Sequence, residues 1–503
     1  MSLSFLTLFK AKKESIETPH NSPILEKIQS LSNNSNLKIF SYKEIFHHKE
    51  SYPIPLIIYD NLRGLYIFEI KRWSYNDLKN AEAKKAKGVE KSNDTLAFDK
   101  THDIIKQKFN ELLHNDGVAI FNYLIMENLS SQEYENLNDS LRELLPKEKI
   151  IFNDSDNSHI FKKLQNAAEE DHTLPTVQKV FGTLFIQYAI VEKNSEIVLC
   201  NSKQIEFIDT KTSSLFNLSG AAKSGKSSIL LLKSIKELFK QERKKIILIK
   251  PTILSKDIAH KYFLEIIEHA IIDIDLMAFE ILTPAELINR HLSKLKMPSL
   301  LDDIFYIDEK LMKKSFEAAE LIICDDVNLM PEGFTTYLKH IQKDSDLLLV
   351  NDNSCKANMN LEKSYLSDVK TLYFHQTHPH AKALHTITSL LKQTTADNII
   401  VVANRESLEK LQEDLLSFIE DDTLLLDANK HLVDQKLDSL VLASYDDIID
   451  LTAEHLIVMD LCCATQDQLQ YTLNIAEQTL HILYEEECDK ITMLKEKYEN
   501  NEE

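Results

Sequence analysis

The sequence predicts an α/β protein built on parallel sheets, and three observations carry that reading. From residue 216 onward, apolar runs such as "KKIILIKP", "AELIICDD", "SDLLLVND", "NIIVVAN", "SLVLASY" and "HLIVMDL" alternate with helical stretches. Runs without polar alternation are the pattern of strands covered on both faces. The run "LFNLSG" leads into the spacing GxxxxGKS, with Gly220, Gly225, Lys226 and Ser227, and then into a helix. Strand, glycine loop and helix in that order make a phosphate cradle. A separate series of short strands around a glycine turn, within residues 38 to 126, sets an N-terminal domain apart.

The N-terminal elements read in order. "LKIFSYKEIF" and "IPLIIYD" are strands, "NLRG" is a turn, and "LYIFEIKRW" is a third strand. "THDIIKQKFNELLHNDG" is a helix that Gly117 is expected to end, and "VAIFNYLIM" is another strand. Residues 156 to 200 read as a connector containing helix.

Bulk properties set the class. The 503 residues have room for two to four domains, and 43% hydrophobic with 27% charged residues suits a core-forming protein. No apolar stretch reaches the ~20 residues of a membrane span. The N-terminal apolar run precedes its charges, the reverse of a secretory signal, so a cytoplasmic protein without a membrane partner is expected. Six scattered cysteines without a C-x-x-C pair point to reduced thiols. The net charge of -21 is concentrated at one end: residues 406 to 503 hold 25 Asp and Glu against 6 Lys and no Arg, a net of -19. That surface is a poor match for a phosphate backbone and suits a protein partner.

In the glycine loop, successive N–H groups and the helix N-terminus stabilise phosphate charge. Lys226 is placed to reach the outer phosphates of ATP, Ser227 to ligate Mg2+, and Ser228 continues the helix N-terminus. A carboxylate pair is needed on a neighbouring strand, one to hold the metal through water and one to activate the attacking water. "LIICDDVNLM" supplies Asp325 for the metal and Asp326 for catalysis.

The order of these segments resembles the UvrD/Rep-like superfamily 1 helicases over about residues 200 to 490. "NSKQIEFI" resembles their adenine-reading Q motif, with Gln204 sixteen residues before Gly220; "IKPT" resembles the motif after the P-loop, and "FEILTPAELINRHL" the DNA-contact segment, with Thr283 matching. The resemblance implies two RecA-like P-loop NTPase lobes, bound ATP and Mg2+, and single-stranded or duplex DNA as a partner of the first lobe and N-terminal domain. It decays along the chain. Asp325, Asp326, Val327 and Asn328 stand for D-E-x-Q, and Asn351, Asp352 and Cys355 stand where G-D-x-x-Q belongs. "HQTHPHAKAL" lacks the arginine of the N-Y-R segment, Asp450 and Thr452 replace a glycine and a glutamate, and Asn474, Ile475 and Ala476 replace T-R-A. No arginine lies beyond Arg405. Loss of such arginines can cost ~10³–10⁵ in phosphoryl-transfer rate.

"IPLIIYDNLRGLYIFEIKRW" resembles the nuclease-related (NERD) domain, a restriction-endonuclease-like fold. Glu69 and Lys71 match its metal-binding and catalytic pair, alternate residues of a strand sharing one face. Its aspartate falls on Leu56, with Asp60 nearby at the turn, so an inactive nuclease is expected.

The expected division is a NERD-like domain over 1–155, a helical connector over 156–200, a first RecA-like lobe over 201–370 with a helical insertion at 252–315, an acidic second lobe over 371–490 and a charged tail over 491–503. The leading function is an ATP-binding, helicase-like protein of nucleic-acid metabolism or defence with weak or absent unwinding. Two alternatives stand beside it: a non-catalytic scaffold that binds a protein through its acidic second lobe, and a nucleotide-regulated nuclease.

Overall fold

The computed structural model describes residues 23–31, 37–85, 99–113, 117–165, 175–191, 197–211, 215–220, 224–240, 245–299, 311, 319–342, 345–351, 357–361, 371–417, 424–426, 430–432 and 440–499. Asp352 and Cys355 lie outside them, as do residues 221–223 of the glycine loop. The chain forms two compact units: Met1–Cys200 with Ile266–Ile274, and Asn201–Glu265 with Asp275–Glu503.

In the first unit, β1 (Leu37–His47), β2 (Glu50–Asp60), β3 (Gly64–Lys71), β4 (Ile120–Met126) and β5 (Ile150–Phe152) form one sheet in sequence order. β1, β2 and β3 pair antiparallel, while β4 lies parallel to β3 and β5 parallel to β4. The parallel step is made by a crossover containing the helix Asp99–Leu112, which ends five residues before the expected stop at Gly117. One sheet face buries Leu56, Ile58, Tyr66 and Phe68; the other buries Leu124, Met126 and Phe152. The expected connector is part of this core. Ile160 and Leu164 of helix Asn157–Gln165 pack on the first face, and of the next helical stretch Phe185 stacks on Phe40 while Phe181 meets it tilted. The unit ends in the hairpin of β6 (Ala189–Val191) and β7 (Ile197–Leu199).

The second unit holds two six-stranded parallel sheets. The first comprises β8 (Leu215–Gly220), β9 (Ile246–Ile249), β10 (Phe279–Leu282), β11 (Leu321–Cys324), β12 (Asp346–Asn351) and β13 (Met359–Leu361), in the order β10-β9-β11-β12-β8-β13. The second comprises β14 (Thr371–Gln376), β15 (Ile399–Ala403), β16 (Leu424–Leu426), β17 (Val441–Ser444), β18 (Ala453–Val458) and β19 (Ala476–Tyr484), in the order β14-β19-β18-β15-β17-β16. Parallel strands joined by helices give the α/β class that the unbroken apolar runs predict, in two sheets consistent with the RecA-like lobes the resemblance implies. The strands earn that reading locally, since every residue of β9, β11, β15 and β17 is buried.

Two features depart from expectation. The helix Asp489–Glu499 occupies most of the expected tail and buries Ile491 and Leu494 in the second lobe's core. Cys462 and Cys488 are joined as a disulfide with Cα atoms 6.1 Å apart, against the expectation of reduced thiols. Cysteines in a 3₁₀ turn and at a helix start 26 residues later show no spacing signature. Among the described residues, no helix is long and apolar enough to cross a membrane.

Candidate functional site

The expected phosphate cradle lies where β8 meets the helix Lys226–Phe239. Gly220 ends the strand, and a Cβ there would stand 2.6 Å from Ser224 Oγ and 3.0 Å from Leu361 Cβ, so a side chain would crowd the loop. Gly225 is the helix N-cap at φ +79°, a left-handed conformation that costs glycine little. The helix buries Ile229, Leu230, Leu232 and Ile235, which fixes its first turn at the ends of the strands. That turn leaves N–H groups without intrahelical partners, the basis of anion binding at helix N-termini.

Lys226 folds back, its Nζ donating to the Gly220 carbonyl at 2.8 Å. Ser227 Oγ donates to Asp325 Oδ2 at 2.8 Å, and Ser228 follows, half-buried, in the same turn. Gln204 is buried, at the third position of helix Ser202–Asp209. Its Oε1 accepts from Asn201 N at 2.8 Å and its Nε2 donates to the Ser224 carbonyl at 2.9 Å. Both ends of the amide are therefore engaged, tying the helix cap to the loop. Thr283 likewise caps helix Pro284–Lys294 by accepting from Glu286 N.

Strand order assembles the carboxylates. β11 ends at Cys324, separated from β8 by β12 alone, and projects Asp325 and Asp326 beside the loop. Asp325 is fully buried; besides Ser227 it accepts from Asp326 N through Oδ1 at 3.0 Å and from Lys250 Nζ through Oδ2 at 2.9 Å. Asp326 sits at φ +48°.

Lys250 was not singled out from the sequence. It follows β9, whose pairing with β11 sets Ile249 opposite Cys324, so the next residues on both strands meet. Its Nζ lies 2.9 Å from Asp325, 3.7 Å from Asp326 and 3.0 Å from Asp450 of the second lobe. Asp450 stands where the resemblance places a glycine, and its φ of +63° keeps the conformation a glycine adopts readily. The short carboxylate then reaches Lys250. Ile475, in place of the final arginine, is buried in the second lobe's core.

The protonation states follow from this packing. Burial works against the charge of Lys250, but the carboxylates of Asp325, Asp450 and Asp326 outweigh it and hold the ammonium well above its ordinary range. Burial also pushes Asp325 up, and the Lys250 charge with hydrogen bonds from Lys250 and Ser227 brings it below the usual carboxylate range. Asp326 is pushed up to about 8 by burial and by its neighbour Asp325. At neutral pH Asp326 therefore mostly keeps its proton, which opposes the expected role of accepting one from water.

The residues fit a phosphate chain, since the helix N-terminus at Gly225 offers free N–H groups and Lys226 Nζ lies 2.8 Å from the Gly220 carbonyl at the strand end. They do not fit Mg2+ as well. Asp325 is expected to hold Mg2+ through a water that donates to its carboxylate, but both of its oxygens already accept from N–H or O–H donors and one faces an ammonium. Among the described residues, no three His, Cys, Asp or Glu side chains are grouped to hold a metal ion.

The first unit carries the other pair. Glu69 and Lys71 lie on β3 with Nζ 2.9 Å from the carboxylate. Burial raises the Glu69 carboxyl against the pull of Lys71. Leu56 pairs with Phe68 inside the core. Asp60 pairs with Gly64, five residues from Glu69, about 17 Å along the strand. It accepts instead from Arg63 Nη1 and Leu62 N, each at 2.9 Å. Asp60 is therefore no substitute for the missing ligand.

No family model matches the chain, and no curated protein matches it. Among solved structures it is similar to S. cerevisiae Dbp5 bound to RNA and ADP BeF3, at 12% identity over 59% of this chain and 87% of that one, with a TM-score of 0.42. It is also similar to the DUF1998 helicase MrfA bound to DNA and AMPPNP, at 11% identity over 61% of this chain and 51% of that one, with a TM-score of 0.41. At these values the fold rests on the strand order itself, and the site on its own geometry.

Proposed function

We propose that the chain binds a nucleoside triphosphate, ATP in the first instance, in the cradle of Gly220, Gly225, Lys226 and Ser227. It then serves as a helicase-like protein of nucleic-acid metabolism or defence with weak or absent unwinding. One observation carries this reading: the 2.8 Å contact of Ser227 Oγ with Asp325 Oδ2, which joins the glycine loop to the carboxylate strand across the intervening β12. Bound, the nucleotide supplies a terminal phosphoryl group; the chain's residues hold and orient it. Lys226, released from the Gly220 carbonyl, would meet the outer phosphates, and the first-turn N–H groups would meet the inner ones.

Weak turnover is supported by Asp326, which mostly keeps its proton at neutral pH. It is also supported by the second lobe, which offers no arginine beyond Arg405 to neutralise the transferring group. Nucleic acid is assigned to the first lobe and the N-terminal domain, because residues 406 to 503 with their net -19 would repel a phosphate backbone.

A second reading, a scaffold that binds a basic protein partner through the acidic lobe, is favoured by the packing between the lobes. Leu254 and Ile258 of helix Ile253–Ala270 belong to the same core as Ile400, Val441, Leu456 and Ile482. Asp257 accepts from Leu432 N at 2.8 Å and contacts His431 Nδ1 at 2.9 Å. Lobes that share a core are poorly suited to open and close.

Calorimetry of ATP binding to wild type and Lys226→Ala tests the nucleotide reading. Loss of at least about tenfold in affinity is expected, and an unchanged affinity sinks the cradle assignment. ATP-dependent unwinding of a tailed duplex, lost in Lys226→Ala, would remove the scaffold reading.

A further inference from the structure

The carboxylates beside the glycine loop already hold a cation, and it belongs to the chain. Lys250 is 1% exposed, its backbone N–H donates to the Leu282 carbonyl at 2.9 Å, and its Nζ lies among Asp325, Asp326 and Asp450. The stem is anchored at the end of a buried strand, so the ammonium has no route to solvent that keeps its partners. Moving it would leave buried carboxylates unpaired, a state proteins avoid. A dication placed beside Ser227 would share Asp325 with this ammonium and be repelled by it at short range in a medium of low dielectric.

We infer that the Lys250 ammonium is the resident cation of this site, standing in for a divalent metal, and that the site takes a metal-free nucleoside polyphosphate. The inference rests on the nucleotide reading above for its ligand, and on the geometry of Lys250 alone for its cation. Lys226 then supplies the positive charge that meets the phosphates, while Lys250 neutralises the carboxylates behind Ser227. Asp450 has a part in this arrangement: it reaches from the second lobe and pairs with the ammonium at 3.0 Å.

The test has two arms on the full-length protein. In the first, ATP affinity is measured by calorimetry in excess Mg2+ and in EDTA. The expected result is agreement within about twofold, and tightening by Mg2+ of about tenfold or more overturns the inference. In the second, no nucleotide is present, and Mn2+ is titrated to about 1 mM with detection by electron paramagnetic resonance. Wild type is expected to bind none at this site, whereas Lys250→Met is expected to gain one Mn2+ site that Mg2+ displaces. A Mn2+ site in wild type that is lost in Asp325→Asn overturns the inference. If Lys250→Met fails to fold, Lys250→Arg replaces it: a variant that keeps the charge should bind ATP equally in both buffers, and a new requirement for Mg2+ counts against the inference. Absence of ATP binding in either buffer overturns the nucleotide reading and the ligand half of the inference, and the Mn2+ arm then decides the cation half.

Discussion

Two lysine-carboxylate pairs in this protein have nearly the same length and different settings. Lys71 and Glu69 lie 2.9 Å apart with side chains 23% and 18% exposed, alternate residues on one strand. Lys250 and Asp325 also lie 2.9 Å apart, but each is 1% exposed and they come from two parallel strands whose ends meet. The first pair stands beside a core leucine at position 56 and a distant Asp60. The second is held by Ser227 of the glycine loop and by Asp450 of the second lobe. An ion pair gains structural weight from what encloses it more than from its own length. Exposed pairs contribute about 0–1 kcal/mol, while breaking a buried pair from one side costs about 3–5 kcal/mol.

The sharpest way to break the comparison is to remove both lysines in turn. Lys250→Ala is expected to destabilise the second unit by about 3–5 kcal/mol, because three carboxylates would lose their common cation. Urea denaturation followed by circular dichroism measures this, and a change below about 1 kcal/mol would mean that the buried cluster is not an interdependent one. The contact between the lobes is tested by Leu254→Ala. Leu254 is 1% exposed in a core shared by both lobes, and truncation there is expected to cost about 2–5 kcal/mol. A loss well under 1 kcal/mol, with the two lobes melting separately, would restore the picture of independently moving halves.

A pH series separates Asp326 from its neighbours. Its folded pKa of about 8 lies above the ordinary carboxylate value. Between the two values the folded state therefore binds more protons than the unfolded one. The contribution is complete in acid and is lost as pH rises through about 8. Asp326→Asn keeps the neutral shape, so it should flatten that decline and gain about 1–3 kcal/mol at pH 8 relative to wild type. A parallel pH profile in the variant and wild type would refute the assignment. The smallest effect belongs to the half-buried pair: Lys71→Ala should cost about 1–3 kcal/mol, between the values for exposed and buried pairs. Wild type is expected not to cleave DNA with Mg2+ or Mn2+, and metal-dependent cleavage abolished by Glu69→Ala would give that pair the catalytic role its surroundings argue against.

Local chemistry was legible in the sequence. The spacing of Gly220, Gly225, Lys226 and Ser227 encodes a strand end, a glycine loop and a helix start within eight positions, and the structure has the strand end at Gly220 and the helix start at Lys226. Asp325 was legible as the end of an apolar run, because a buried strand must terminate in something polar. Gln204 came from the resemblance of its segment to the Q motif, and in the structure its amide is bonded to Asn201 and Ser224.

Lys250 was hidden in plain view within "IKPT", and Asp450 was read as damage to a motif. Their contact depends on β9 lying next to β11 and on the second sheet's approach to the first, two hundred residues apart in sequence. Cys462 with Cys488, and the burial of Ile491 and Leu494, were missed for the same reason. Glycine conformation, helix capping and strand burial act over a few residues, so the amino-acid order alone determines them. Which charges face each other across strand ends is decided by sheet order and lobe packing, and here that packing placed a lysine where the loop's own chemistry calls for a metal.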